Sequence, residues 1–325
     1  MEAASIFNIK NDSDFEVRAL EVFQFQYQNN FAYREFCSHL GKSPKEVQQI
    51  LDIPFLPIEF FKSKTIITGA KSPQISFSSS GTTGKQTSQH HVADLRIYEQ
   101  SYLTAFQQFY GNIQDYCILA LLPSYLERED SSLVYMVADL IHKSGHSDSG
   151  FYLDEFDTLK KKLLQLDSSG SKVLLIGVSF ALLNFTEKYP LQLKNTIVME
   201  TGGMKGRRKE MIRFELHQSL KQGFGIDSIH SEYGMTELLS QAYSSGNGLF
   251  KTPNWMKVLI RDTEDPLSFQ KRGKTGGINI IDLANINSCS FIATQDLGKL
   301  YADESFEILG RFDHSDVRGC NLMVL

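Results

Sequence analysis

Three near-continuous apolar runs, Cys117–Pro123, Lys172–Val178 and Asn195–Thr201, constrain this chain most. Each is about one strand long, and a strand that is apolar on both faces has to be covered on both faces. Segments of helical period lie around them. Leu95, Tyr98, Tyr102, Ala105, Phe106 and Phe109 share one helical face, residues 131–145 run from a serine start to a glycine stop, and residues 207–223 read as a helix closing at Gly223. Doubly buried strands alternating with helices predict a parallel sheet and an α/β fold. A length of 325 residues allows two domains, or one large α/β domain with subdomains.

The texture differs at both ends. Residues 1–70 read as a helical front segment. Ser13 and Glu16 have capping-box spacing at the head of a helix over 13–28, which presents Phe15, Ala19, Val22 and Phe23 on one face. A second helix carries Tyr33, Phe36, Cys37 and Leu40 and ends near Gly41, after which Pro54 and Pro57 impose an extended, packed segment. Residues 71–250 form the α/β core. From 251 to 325 the segments shorten to KVLIRD, GGINIID, SFIATQD and FEILG, which predicts a β-rich, antiparallel or barrel-like region.

Composition removes several classes of function. Lys+Arg 33 against Asp+Glu 38 gives a net charge of −5, which offers no electrostatic footprint for nucleic acid. No apolar run approaches the roughly 18–20 residues that span a bilayer, so an integral membrane protein is not expected. The first residues lack a basic region followed by an apolar core, and the four cysteines share no CxxC spacing. These features lead us to expect a soluble cytoplasmic enzyme without a disulfide framework.

Three stretches carry chemistry. Ser78-Ser79-Ser80-Gly81-Thr82-Thr83-Gly84-Lys85 follows a strand and precedes a helix, and its glycines and hydroxyls suit the wrapping of phosphate oxygens. It is not a Walker A loop, because Ser79 stands where that motif needs glycine; an ordinary Ser/Gly surface loop is the plain alternative. Tyr233-Gly234-Met235-Thr236-Glu237 places a hydroxyl beside a carboxylate at a strand end, where Glu237 can hold Mg²⁺ and Tyr233 can stack on a base; any strand-to-helix turn can have this form. Thr294-Gln295-Asp296-Leu297-Gly298 ends a strand with an Asp suited to ribose hydroxyls, or to a simple Asx turn. Gly202-Gly203 is a close-approach site for adenine, with Lys205, Arg207 and Arg208 behind it either at phosphate or in water. His90-His91 reads as a loop or helix-start pair, and Cys117 and Cys289 as packing residues.

The order of these stretches, with Gly310-Arg311-Phe312-Asp313 and Val317-Arg318-Gly319 after them, resembles the adenylate-forming superfamily of acyl-CoA synthetases, luciferases and peptide-synthetase adenylation domains. Within it the chain is most similar to the LuxE-type acyl-protein synthetase family, whose entry segment resembles Ile53–Lys62. The resemblance implies the large N-terminal domain of those enzymes, with sheet-containing subdomains flanked by helices, and no C-terminal lid domain. It also implies ATP-dependent activation of a carboxylic acid, most simply a fatty acid, to an acyl-adenylate, followed by transfer to a protein thiol. ATP and Mg²⁺ are the implied cofactors. Ser79 to Lys85 would hold the β- and γ-phosphates, and Gly202, Gly203, Tyr233 and Gly234 the adenine. Thr236 would touch the α-phosphate, Glu237 would hold the metal, and Asp296 and Arg311 would fix the ribose. Cys320, beside Arg318, corresponds to the family's acyl-accepting cysteine, with an acyl-accepting partner such as a reductase or carrier beyond it. Two departures stand out: Gln86-Thr87 replaces the superfamily's Pro-Lys, and the C-terminal catalytic lysine has no counterpart. An acyl- or aryl-CoA ligase, or a nucleotide-binding subunit without catalysis, are the alternative readings.

Overall fold

The computed structural model describes residues 3–79, 87–122, 130–153, 155–202, 208 and 211–312. Helix α1 (Asp12–Asn29) is capped by Asn11, whose side chain accepts from the Asp14 amide, so the helix starts one residue before the Ser13 capping box expected from spacing. Helix α2 (Phe31–His39) follows at once and buries Tyr33 and Cys37. The proline-bounded stretch then supplies a two-residue strand, β1 (Leu56–Pro57), and a single helical turn, α3 (Phe60–Ser63).

Strands β2 (Ile75–Ser78) and β3 (Gln89–Val92) pair antiparallel in a sheet of their own, and helix α4 (Leu95–Tyr110) begins only afterwards. The Ser/Gly/Thr loop therefore joins two strands of a hairpin, not a strand to a helix. His90 and His91 lie on β3, not at a helix start.

The expected parallel sheet is present. It contains β4 (Tyr116–Leu121), β5 (Gly150–Phe151), β6 (Lys172–Val178), β7 (Thr196–Thr201), β8 (His230–Tyr233) and β9 (Ala242–Ser244), in the order β5-β4-β6-β7-β8-β9. All neighbours pair parallel except β8 with β9. The intervening helices are α5 (Ser132–Ser144), α6 (Phe156–Ser168), α7 (Ser179–Lys188) and α8 (Arg213–Phe224). Helix α5 starts on a Ser131 cap and stops on left-handed Gly145, as its sequence requires. Helix α8 begins at Arg213 and stops at Gly225 (φ +66°), two residues past the expected glycine. Gly223 is interior to it for a packing reason: a Cβ there would lie 2.4 Å from Cβ of Thr186 on α7, so only glycine lets the two helices approach.

The second sheet is built from β10 (Met256–Arg261), β11 (Thr275–Asp282), β12 (Phe291–Leu300) and β13 (Phe306–Arg311), all antiparallel. The front segment adds β1 to it, parallel to β12. Residues 1–70 are thus an edge of this sheet as well as a pair of helices. Gln26 on α1 is fully buried and fastens the junction. Its Nε2 donates to the carbonyls of Asn285 (2.9 Å) and Ile286 (3.0 Å), and its Oε1 accepts from the Ser290 amide (3.0 Å). Phe23, Tyr33 and Phe291 pack beside it, the last two stacked at 5.9 Å. No described helix is long and apolar enough to cross a membrane.

Gln26→Leu keeps the volume but removes the side-chain donor to the Ile286 carbonyl and the acceptor of the Ser290 amide in the interior, while the Asn285 carbonyl keeps the Ser288 amide. Each group left without its partner costs about 1–3 kcal/mol, so urea unfolding is expected to show a stability loss of about 3 kcal/mol or more at unchanged m-value. A loss under about 0.5 kcal/mol, the size of an ordinary surface substitution, would show that the front segment is held by its aromatic packing alone.

Candidate active site

The chain turns sharply after β8, and the backbone of this turn is held from three directions. Asp282, at the end of β11, is fully buried, and its carboxylate accepts from the Leu239 amide (2.8 Å), the Ser240 amide (3.0 Å), the Ser240 hydroxyl (2.6 Å) and the Ala284 amide (3.1 Å). Burial pushes its carboxyl up to about 6, with the four donors working against that. Asn285 Nδ2 donates to the Glu237 carbonyl at 2.8 Å, and His90 Nδ1 bonds the Thr236 carbonyl at 2.7 Å. The Glu237 side chain is only 6% exposed; burial raises its pKa, while the Ser88 hydroxyl and the charges of Arg311 and Lys62 oppose the rise.

Tyr233 connects this turn to the second sheet. Its hydroxyl donates to Asp296 Oδ2 at 2.7 Å, and Arg311 Nε donates to Asp296 Oδ1 at 3.1 Å. Asp296 and Arg311 are cross-strand partners in the β12–β13 register, so their pairing follows from the sheet. The Tyr233 ring is buried against Phe250 and Phe306, with centroids near 6 Å, so the flat face foreseen for a base is packed into the core and the hydroxyl is the end that works. A carboxylate has about four acceptor positions, so Asp296 retains capacity for ribose hydroxyls while bonded to both neighbours.

Gly202 follows β7 in the left-handed region (φ +64°), one residue beyond the Thr201–Glu232 pair, and its carbonyl accepts from Ser179 at 3.1 Å. The hairpin brings the base of the Ser/Gly/Thr loop to the same region. Ser79 N donates to Ser88 O (3.1 Å), Ser88 N donates to Ser79 Oγ (2.9 Å), and Ser88 reaches Glu237. Ser80, Gly81, Thr82, Thr83, Gly84, Lys85, Gly203 and Cys320 lie outside the described residues, as do Lys205 and Arg207. Arg208 is spent on Asn184 and Glu187 of α7. Cys37, Cys117 and Cys289 are buried, with burial raising each thiol, which fits packing roles.

A family model described as acyl-protein synthetase, LuxE, matches residues 7–325. The chain belongs to that family. Two curated relatives, each called long-chain-fatty-acid–luciferin-component ligase, are 23% identical: one from Vibrio harveyi over 93% of this chain and 84% of its own, one from Aliivibrio fischeri over 93% and 85%. Among solved structures, an open conformation of 2-hydroxyisobutyryl-CoA ligase in complex with 2-HIB-AMP and CoA superposes with TM-score 0.66 at 11% identity, covering 93% of this chain and 75% of that one. ATP-bound MatB from Rhodopseudomonas palustris gives 0.54 at 16% identity over 73% of this chain, which spans about half (47%) of MatB. The α/β fold of this LuxE-family chain is therefore that of the large domain of adenylate-forming enzymes.

Motif reading missed the residues behind the turn. Asp282, Asn285 and Ser88 belong to no recognisable pattern, although a lone Asp ending an apolar strand, as in GGINIID, was a visible signal; His90 was noticed only as half of a loop or helix-start pair. Also missed was a buried polar layer under Gly202 and Gly234. Glu200 and Glu232 sit on adjacent strands, both buried. Burial alone would raise Glu200, but the His217 hydrogen bond and the Arg213 charge hold it below the usual range. Glu232 has only the Thr201 hydroxyl against burial and the Glu200 charge, and is pushed up to about 7. A Cβ on Gly234 would lie 2.5 Å from Glu232 Oε1, so this carboxyl directly underlies the motif.

A carboxyl raised in the native state binds its proton more tightly there than in the unfolded chain. Its contribution to stability is therefore lost as pH rises from about 4.5 to about 7, a change on the order of 2–3 kcal/mol. Glu232→Gln is expected to flatten that part of the stability–pH curve, measured by urea midpoints across the range, and to leave the wild type the less stable of the two at pH 8. An unchanged slope in the variant would place the titration elsewhere.

Proposed function

We propose that this protein activates a fatty carboxylic acid with ATP and passes the acyl group to a protein thiol. The observation that carries the reading is the Tyr233–Asp296 hydrogen bond. It brings two motifs from different sheets to one place, together with Arg311 and, through Ser88, the base of the Ser/Gly/Thr loop. A site of this kind does its work by holding charge in position, because no base is needed when the nucleophile is already a carboxylate.

In the first step a carboxylate oxygen of the acid bonds to the α-phosphorus, and the bond to pyrophosphate breaks. Ser79 to Lys85 cradle the β- and γ-phosphates, Thr236 contacts the α-phosphate, Asp296 and Arg311 fix the ribose, and Gly202, Gly203 and Gly234 leave room for adenine. Glu237 suits Mg²⁺ that arrives with its phosphates: such a metal typically takes one or two carboxylates and draws the rest of its oxygens from substrate and water. Bound there, the ion would offset the charge building on the phosphates. In the second step a thiolate attacks the acyl carbonyl carbon, AMP leaves, and the thiol proton goes to solvent. Cys320 is the proposed acceptor, and an acyl-accepting protein the onward partner; the naming of the two relatives as ligases of a luciferin component supports a protein destination.

ATP–pyrophosphate exchange across a panel of carboxylic acids tests the first step, with long-chain acids expected to be the best substrates. Glu237→Gln is expected to lower exchange roughly 10²-fold or more with the melting temperature preserved. Tyr233→Phe, which loses one hydrogen bond to a charged group, is expected to raise the KM for ATP about tenfold. With radiolabelled acid, Cys320→Ser is expected to abolish the hydroxylamine-labile protein label while exchange continues. Label surviving that substitution moves the acceptor to another residue, and label passing to added CoA favours a CoA ligase.

A further inference from the structure

Strand β3 carries polar residues where its burial pattern calls for apolar ones. From residue 88 to 92 exposure alternates strictly, and the buried face consists of Ser88 (1%), His90 (0%) and Val92 (2%). Polar groups on a buried face need partners there. His90 finds its partner in the turn after β8, where its Nδ1 lies 2.7 Å from the Thr236 carbonyl oxygen, and the Ser88 hydroxyl opposes the burial-driven rise in the pKa of the neighbouring Glu237. The carbonyl oxygen can only accept, so Nδ1 bears the hydrogen. Burial holds the imidazole down at about 4, so the ring is neutral and Nε2 is a bare acceptor. Nε2 has no hydrogen-bond partner among the described residues, and Phe61 of α3 stands edge-on to the ring at 5.7 Å. Among the described residues, the His90 side chain therefore hydrogen-bonds through Nδ1 alone, to one backbone carbonyl.

We propose that His90 is a positioning residue for adenylation: its Nδ1–H pins the Thr236 carbonyl, and with it the peptide plane between Thr236 and Glu237, so that hydroxyl and carboxylate face their phosphate and metal at the same time. The role rests on the functions proposed above for Thr236 and Glu237. His90 itself touches no substrate and transfers no proton. Ser88, two residues earlier on the same face, extends the clasp to Ser79 at the foot of the loop.

Three variants of His90 separate positioning from packing. The amide nitrogen of Asn falls where Nδ1 lies, and that of Gln where Nε2 lies, while Gln is the closer match to His in volume. His90→Leu is expected to lower kcat for pyrophosphate exchange about 10²-fold, the scale of a roughly 1 Å misplacement, with the KM for the fatty acid unchanged. His90→Asn is expected to recover most of that loss and His90→Gln little of it. If Gln restores exchange better than Asn, or Asn is no better than Leu, the residue is a filler of space and the proposal is wrong. Circular dichroism and melting temperature establish folding for each variant; should His90→Leu not fold, the order of Asn and Gln still decides. If the wild type exchanges no pyrophosphate with any acid, the proposed reaction fails. The clasp is then read from the Mg²⁺ dependence of the ATP-induced rise in melting temperature, again with Asn expected above Gln.

Discussion

The buried carboxylate of Asp282 holds the two sheets in working relation. It sits at the end of a strand of the antiparallel sheet and takes four hydrogen bonds, three of them from the segment that leaves the parallel sheet. A buried charge is unfavourable unless it is fully bonded, and these donors are what make the position tolerable. The Ser240 hydroxyl it accepts from also takes the indole N–H of Trp255 at 2.9 Å and meets Ser101 of α4 at 3.0 Å, so the same anchor reaches a helix of the core. The turn bearing Thr236 and Glu237 is anchored at its far end in this way.

The front segment is part of the same construction. Gln26 and Asn30 bond the backbone of residues 285–290, immediately after Asp282, and β1 completes the edge of that sheet. Asn285 faces both ways, since its backbone carbonyl accepts from Gln26 while its side chain donates to the Glu237 carbonyl. Packing at residue 26 is thus connected through one residue to the backbone of the proposed metal ligand. Glu59, at the head of α3, bonds Gln295 beside Asp296, and Phe61 braces His90, so α3 touches both halves of the site.

The electrostatics divide by depth. Nearest the surface, the buried Asp296 shares its charge with the largely exposed Arg311. Beneath it, Glu200 is compensated by Arg213 and His217, whereas Glu232 is compensated only by a threonine hydroxyl and so retains its proton far into the neutral range. Two carboxyls on adjacent strands thus titrate differently because, among the described residues, only Glu200 pairs with cationic side chains.

Much of this was written in local sequence. Continuous apolar runs require strands covered on both faces, and the runs beginning at Cys117, Lys172 and Asn195 supply β4, β6 and β7. Ser131 and Gly145 bound their helix because capping is a matter of neighbouring residues. The Tyr233–Glu237 and Thr294–Gly298 motifs were recognisable because each is a short contiguous run that resembles its family's pattern. Other features depend on groups far apart in the chain. Gly223 looked like a helix stop, but it answers to Thr186 on another helix. The Ser/Gly/Thr loop looked like a strand-to-helix turn, but pairing with Gln89–Val92 makes it a hairpin connection. His90, Asp282 and Gln26 carry no motif, since their partners stand 146, 42 and 259 residues away and single hydrogen bonds leave no periodicity. Local sequence determined which elements form and which short motifs stand at their ends, because propensity, capping and binary pattern act over a few residues. Only the tertiary structure decided what holds those residues still, because a buried polar group takes whichever partner the fold brings to it.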